Sequence, residues 1–280
     1  MKISIIIPTL NRPDQLKKLL FRLGEVVEKE ELIIVDDSKD ELPQEIFNHF
    51  KFRIKYIHRG ERLGVSSARN IGAAEAKGEY LLFFDDDDDF TTDWLEDFRS
   101  SLKSNPGIVY CDMKVVDRFG KEENVSAQMR KRPIVIPGSW LIKKEIFDQI
   151  KGFDERLNFA ENTELFFRID QIEKPTEYIK KPNFIYHQSV DGGSKNLQNM
   201  IDSILIILEK HDKLLTEHVK YLYHQIVGVN QLRFQRFAQA RKHLWKAYRY
   251  KPWKVKTLAR FGLSFLPILS KRIYTKDVNI

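Results

Sequence analysis

A chain of 280 residues with 42% hydrophobic and 31% charged side chains is ordinary for a soluble protein and long enough for one large domain with an appendage or two modest domains. Its single cysteine, Cys111, excludes an internal disulfide, and no uncharged stretch approaches the roughly 20 residues needed to cross a bilayer. The net charge of +7 is unevenly spread: residues 196–280 carry 16 Lys+Arg against 5 Asp+Glu, a basic tail after a mildly acidic body.

Residues 3–7 (Ile-Ser-Ile-Ile-Ile) predict a short buried strand, and Pro8 to Pro13 the turn after it. The apolar run is too short for a signal peptide, and a lone cysteine suits a reducing compartment, so a cytoplasmic location is expected. Leu16, Leu19, Leu20, Leu23 and Val27 recur at helical spacing, with Pro13 suited to the first turn. A second apolar strand, residues 32–35, ends in Asp36-Asp37-Ser38. A short helix over 43–50 and an alternating strand over 52–58 follow. Residues 63–78 read as a small-faced helix capped by Ser66 or Ser67 and stopped by Gly78. Its N-terminus suits an anion such as a diphosphate, its small face suits close packing on a sheet, and only Arg69 and Asn70 are too polar for packing alone.

The central stretch is Tyr80 to Phe84 followed by five aspartates, Asp85 to Asp89. Five adjacent carboxylates repel one another, so a fold that holds them at a strand end offsets that repulsion with a cation, and hard oxygen ligands point to Mg²⁺ or Mn²⁺. The alternative is a solvated acidic loop. Ordered-looking sequence on both sides favours the cation, with a helix pattern in Trp94, Leu95, Phe98 and Leu102. Strands alternating with helices predict an α/β fold with a mainly parallel central sheet, whose ligands bind at the carboxyl ends of the strands. If the three strands are neighbours, Thr9, Asn11 and Arg12, Asp36 and Asp37, and the aspartate block share one rim.

Residues 6–12 (Ile-Ile-Pro-Thr-Leu-Asn-Arg), 35–38 (Val-Asp-Asp-Ser), 64–72 (Gly-Val-Ser-Ser-Ala-Arg-Asn-Ile-Gly), 77–80 (Lys-Gly-Glu-Tyr) and 84–88 (Phe-Asp-Asp-Asp-Asp) stand in the order and spacing of the family 2 glycosyltransferases. The chain resembles that family over about residues 1–195. The resemblance implies a GT-A-like nucleotide-binding domain with a D-x-D metal motif, in a donor-binding half of about 1–105 and an acceptor-side half of about 106–195, followed by a basic helical extension over 196–280. It implies that Pro8, Thr9, Asn11, Arg12, Asp37, Arg69, Asp85 and Asp86 hold a nucleotide sugar. Asp85 and Asp87 would be the two D-x-D carboxylates, Asp86 the variable middle position and Asp88 the acidic residue that often follows.

On the acceptor side, residues 136–142 lead into a helix over 143–150 and then Gly152-Phe153-Asp154-Glu155, a recurring family signature with a structural role. Trp140 is either core or a sugar platform. At Glu161-Asn162 the family carries a Glu-Asp pair whose aspartate commonly serves as base, and Asn162 cannot accept a proton near neutral pH. Three options stand: Glu161 takes over, Glu164 one turn away reaches the site, or the protein is inactive or accepts a group that needs little help from a base. His187, after a strand over 176–186, resembles the family's late histidine and is a candidate metal or diphosphate ligand, and the Gly192-Gly193 loop suits a lid.

From Asn196 onward the pattern is helical. The segment from Trp253 to Tyr274 mixes Trp, Phe and Leu with Lys and Arg, so it suits either contact with an anionic membrane face or a soluble helical cap, and no nucleic-acid motif accompanies it. The expected function is metal-dependent, inverting transfer of a sugar from a nucleoside-diphosphate sugar, UDP-linked, to a glycan or lipid-linked acceptor. One rival is a prenyl diphosphate synthase, since Asp85-Asp86-x-x-Asp89 matches the D-D-x-x-D of that all-helical class. The other is a nucleotide-sugar-binding protein that has lost catalysis.

Overall fold

The computed structural model describes residues 2–128, 135–188 and 196–275. It contains two compact units, Met1–Glu155 with Glu161–Asp191, and Arg156–Ala160 with Gly192–Ile280.

The first unit opens with strand β1 (Ile3–Thr9), helix α1 (Pro13–Leu23), β2 (Glu31–Asp36), β3 (Arg53–His58), α2 (Val65–Glu75), β4 (Tyr80–Phe83) and the two-residue β5 (Asp89–Phe90). It continues with α3 (Trp94–Ser101), β6 (Ile108–Val116), β7 (Glu122–Val125), β8 (Trp140–Lys143), α4 (Lys144–Gln149), α5 (Glu161–Ile169) and β9 (Thr176–His187). These strands join one sheet in the order β3-β2-β1-β4-β8-β6-β9-β5, with β7 paired to β6. From β3 to β4 every pairing is parallel. Antiparallel neighbours enter at β8, and β6 lies parallel to β9 across a bulge at Cys111 and Asp112. This sheet excludes the all-helical rival.

The near-continuous apolar runs of β1, β2 and β4 follow from burial on both faces, as a parallel sheet between helices requires. Ile5, Ile7, Leu32 and Leu82 pack with Leu16 and Leu20 of α1 and with Trp94 and Phe98 of α3. Ile6, Ile33, Leu81 and Phe83 pack on the opposite face with Ala68 and Ala73 of α2, Phe147 of α4 and Phe166 of α5. Full burial contributes about 1.5–3 kcal/mol for each such side chain before conformational entropy is set against it. The small face of α2 permits close approach to β1: a Cβ added at Gly72 would lie 2.4 Å from a methyl of Ile6. Trp140 belongs to this core, fully buried against Phe83 and Phe166. Cys111 lies sealed inside the sheet, its thiol pushed up by burial and its amide donating to the Ser139 carbonyl at 2.9 Å.

Two local expectations differ from the structure. The helix expected over 43–50 is a single 3-10 turn, Gln44–Ile46, because Phe47 packs on Tyr56 while Phe50 packs on Phe21 and Phe52. Helix α2 starts at Gly64, whose φ of +94° suits only glycine, and ends at Ala76, so Ser66 and Ser67 sit inside the first turn and Gly78 lies beyond the end.

The second unit is helical: α6 (Leu197–Lys210), α7 (Glu217–Arg233), α8 (Phe237–Tyr250), α9 (Val255–Leu263) and α10 (Pro267–Ile273). Asn196 caps α6 and Thr216 caps α7 through their side-chain oxygens. Leu232, Ala240 and Leu244 form a small core in which α7 packs on α8. Within the same unit, His224 and His243 face each other, Nδ1 to Nδ1 at 3.1 Å. No described helix is long and apolar enough to cross a membrane.

Candidate active site

Strands β2, β1 and β4 are neighbours, so their carboxyl ends form one rim, with Thr9 directly opposite Asp36 in the β1/β2 register. Pro8 stands opposite Val35 in the same ladder. Asp36 is fully buried and accepts from the Tyr56 hydroxyl at 2.8 Å and the Ser38 amide at 2.8 Å. The Ser38 hydroxyl accepts from the amide of Asn11, which adopts a left-handed φ of +54° and leaves its side chain exposed.

Asp37 has a structural role at this rim. Its carboxylate pairs with the buried Arg59 and accepts from the amides of Leu63 at 3.0 Å and Gly64 at 2.9 Å, just before the first turn of α2. Asp37 thus holds the loop that enters α2, ahead of the helix's own first amides. Arg59 also reaches the Ser67 hydroxyl at 2.9 Å. Sequence reasoning missed Arg59, and the available signal was a cation at a strand end just before Gly60.

The aspartate block alternates in burial, with Asp86 and Asp88 buried and Asp85 and Asp87 on the open side at 28% and 39% side-chain exposure. Asp86 accepts from the Thr9 hydroxyl at 2.7 Å and from Arg12 at 2.9 Å, which ties the β1 loop to the end of β4. Burial pushes its carboxyl up to about 6 against the lowering influence of Thr9 and Arg12. Asp87 pairs with Arg12 at 2.7 Å, and Asp89 with Arg22 at 3.4 Å. Asp88 accepts from the His187 amide at 3.1 Å, and burial, followed by repulsion from Asp85 and Asp87, pushes it up to about 9. Arg12, Arg22 and Arg69 thus stand against Asp85, Asp86, Asp87 and Asp89, while Asp88 meets the His187 amide. The His187 backbone meets the block while its side chain is exposed. Among the described residues, no group of three or more His, Cys, Asp and Glu side chains is gathered as a metal site.

Arg69 is the hub of the arrangement. Fully buried, it donates to Asp85 at 2.6 Å and to Glu161 at 3.1 Å, and its guanidinium lies 5.4 Å from the centre of the Phe153 ring. Burial pulls its pKa down, but the charges of Asp85 and Glu161 outweigh this and hold it raised. Asn162 donates to Glu161 at 3.1 Å, and its own carbonyl oxygen is buried without a hydrogen-bond partner. Both donors meet Oε1 of Glu161. Glu164 is fully buried and holds Arg168 through both oxygens, at 2.9 and 2.6 Å, while Arg168 grips the carbonyls of Ile150 and Gly152. That engagement removes Glu164 as a candidate base. The expected Gly192-Gly193 lid lies outside the described residues.

The fold is that of the GT-A glycosyltransferases. Staphylococcus aureus TarS 1–349 is similar with a TM-score of 0.64 at 20% identity, over 97% of this chain and 89% of that one. The mannosyltransferase PcManGT of Pyrobaculum calidifontis, solved with GDP-Man and Mn²⁺, gives a TM-score of 0.59 at 16% identity, over 98% and 87%. The sequence model described as glycosyl transferase family 2 matches residues 4–173, and the chain belongs to that family. An uncharacterized glycosyltransferase of Haemophilus influenzae is 29% identical over 223 residues, 72% of this chain and 75% of that protein. Glycosyltransferase GlyA of Streptococcus pneumoniae is 25% identical over 66% of this chain and 30% of its own length.

Proposed function

We propose that the chain transfers a sugar from a nucleoside-diphosphate sugar, UDP-linked, to a hydroxyl of a glycan or lipid-linked acceptor, with inversion at the anomeric carbon. The carrying observation is Arg69, one buried cation joining Asp85 at the donor-side rim to Glu161 on the acceptor side. TarS has been solved with UDP-GlcNAc and with UDP, which supports a UDP-linked donor.

The donor set fits a hard divalent ion. Asp85 and Asp87 present carboxylate oxygens on the open side, while Asp86 and Asp88 are turned inward. Asp85 and Asp87 would hold Mg²⁺ or Mn²⁺, with His187 a further candidate ligand, and the ion would supply Lewis-acid neutralisation of the leaving diphosphate. Thr9 and Arg12, held through Asp86, position the loop that flanks the nucleotide. Glu161 takes the acceptor proton at Oε2 as the hydroxyl oxygen attacks, while Arg69 and Asn162 fix the carboxylate through Oε1. A second reading, donor binding without transfer, draws on the asparagine at position 162.

The test is release of nucleoside diphosphate from a panel of UDP- and GDP-sugars, with and without Mn²⁺, in the presence of acceptor glycans. Turnover with a UDP-sugar that Asp85→Asn and Asp87→Asn abolish is expected. Saturable UDP binding with no transfer to any acceptor and no donor hydrolysis would leave only the second reading.

A further inference from the structure

Helices α9 and α10 have their polarity inside out. Thr257 of α9, Ser264 just beyond it and Ser270 of α10 are fully buried, and the Ser270 hydroxyl has no hydrogen-bond partner. On the outside, Trp253 is 69% exposed, Val255 74% and Ile268 77%, with Phe265, Leu266 and Ile273 also exposed. Water favours the opposite arrangement. Burial of a large apolar side chain is worth about 1.5–3 kcal/mol, and so many large apolar side chains left exposed within one short stretch of chain mark a contact with something else.

The charge around this surface identifies the occupant. Between Glu217 and Asp277 the sequence contains no acidic residue and 14 Lys+Arg. Lys254, Lys256, Lys271 and Arg272 are exposed beside the apolar side chains. Arg241 donates to the Ser264 carbonyl at 3.0 Å and stacks over Phe265 at 4.9 Å, anchoring the junction of the two helices to α8. A nucleic acid would match the cations but not an aliphatic outer face of valine, leucine and isoleucine. A protein partner would match the apolar part without needing so complete an exclusion of acids. At nine and seven residues, the two helices are too short to span a bilayer.

We propose that α9 and α10 lie on an anionic lipid bilayer, with Val255, Phe265, Leu266, Ile268 and Ile273 inserted at the headgroup boundary and Lys254, Lys256, Lys271 and Arg272 against the lipid phosphates. An interfacial helix binds through buried apolar area plus attraction to anionic headgroups, and a cluster of cations adds to that attraction at moderate salt. The assignment rests on the second unit alone and is independent of the sugar-transfer reading.

The test is flotation of the full chain with phosphatidylcholine vesicles and with vesicles containing 30% phosphatidylglycerol. At least tenfold stronger binding to the anionic vesicles is expected, weakening as salt is raised, with a blue shift of tryptophan emission as Trp253 leaves water. Val255→Glu/Ile268→Glu should lose at least tenfold in vesicle binding with an unchanged melting temperature, since both side chains are exposed. Lys254→Gln/Lys256→Gln/Lys271→Gln/Arg272→Gln should lose the preference for anionic lipid. Equal binding of parent and Val255→Glu/Ile268→Glu, tight RNA binding in place of lipid binding, or a lipid-free dimer that the double glutamate variant dissociates would each overturn the proposal.

Discussion

Asn70 and the Phe153 peptide are joined by a reciprocal pair of hydrogen bonds, the Asn70 amide donating to the Phe153 carbonyl at 3.0 Å and the Phe153 amide donating to Asn70 Oδ1 at 2.8 Å. A third bond runs from Asn70 to Glu155 at 2.9 Å. The polar residue that stood out on the small-faced helix therefore holds the segment Gly152-Phe153-Asp154-Glu155 in place. Asn70→Ala should strip two backbone groups of their partner and cost about 2–3 kcal/mol, read as a lower urea midpoint at constant m-value. Gly152→Ala should be comparably harmful, because its φ is +62° and the new Cβ would sit 2.5 Å from Asn70 Oδ1.

Arg69 keeps one carboxylate partner when the other is neutralised. Asp85→Asn and Glu161→Gln should each be mild for stability, whereas the double variant leaves a buried guanidinium with neither and should cost about 3–5 kcal/mol. A thermodynamic cycle of the four proteins measures this, and simple additivity would refute the shared-cation account.

Glu161→Gln should lower transfer by about 10²- to 10⁴-fold while donor affinity holds, the signature of a lost general base. Adding Asn162→Asp to that variant should restore part of the rate by returning a carboxylate to the neighbouring position. Steady-state kinetics with donor varied at saturating acceptor separate the two parameters.

His224 and His243 are both depressed to about 4, chiefly by burial and then, for His224, by the charge of its partner. A base whose folded pKa is lowered binds protons preferentially when unfolded, so this unit should be fully stable above about pH 6.5 and lose stability as pH falls toward 4. Urea melts across that window should show uptake of up to about two protons on unfolding, and about one in a His243→Gln variant.

Chelation followed by Mn²⁺ addition should abolish and then restore transfer by the parent chain. Asp87→Asn should flatten the metal response while Thr9 and Asp86 keep the loop in place. Metal titrations followed by released UDP check it.

The parallel half of the sheet was legible because β1, β2 and β4 are buried on both faces and so appear as unbroken apolar runs. β6 was not, since it pairs with β7, β8 and β9, and its register against β9 slips where β9 carries extra residues between Ile179 and Phe184. The candidate site was legible in residue type: Thr9, Asp37, Arg69, the aspartates and Glu161 all lie on or beside one rim. The counter-charges were not, because Arg12 meets its aspartates 74 and 75 residues along the chain, and Arg22 its own 67 residues along. Local sequence reports charge density, whereas tertiary structure decides what neutralises it.

Cys111 is the chain's one thiol, and it sits where no reagent arrives without opening β6 from its neighbours. The protein thus carries an internal clock: the rate at which a thiol-specific dye colours the solution counts the openings of the central sheet. Any nucleotide, sugar or ion that slows the dye can be ranked by that rate alone, with neither acceptor nor product identified.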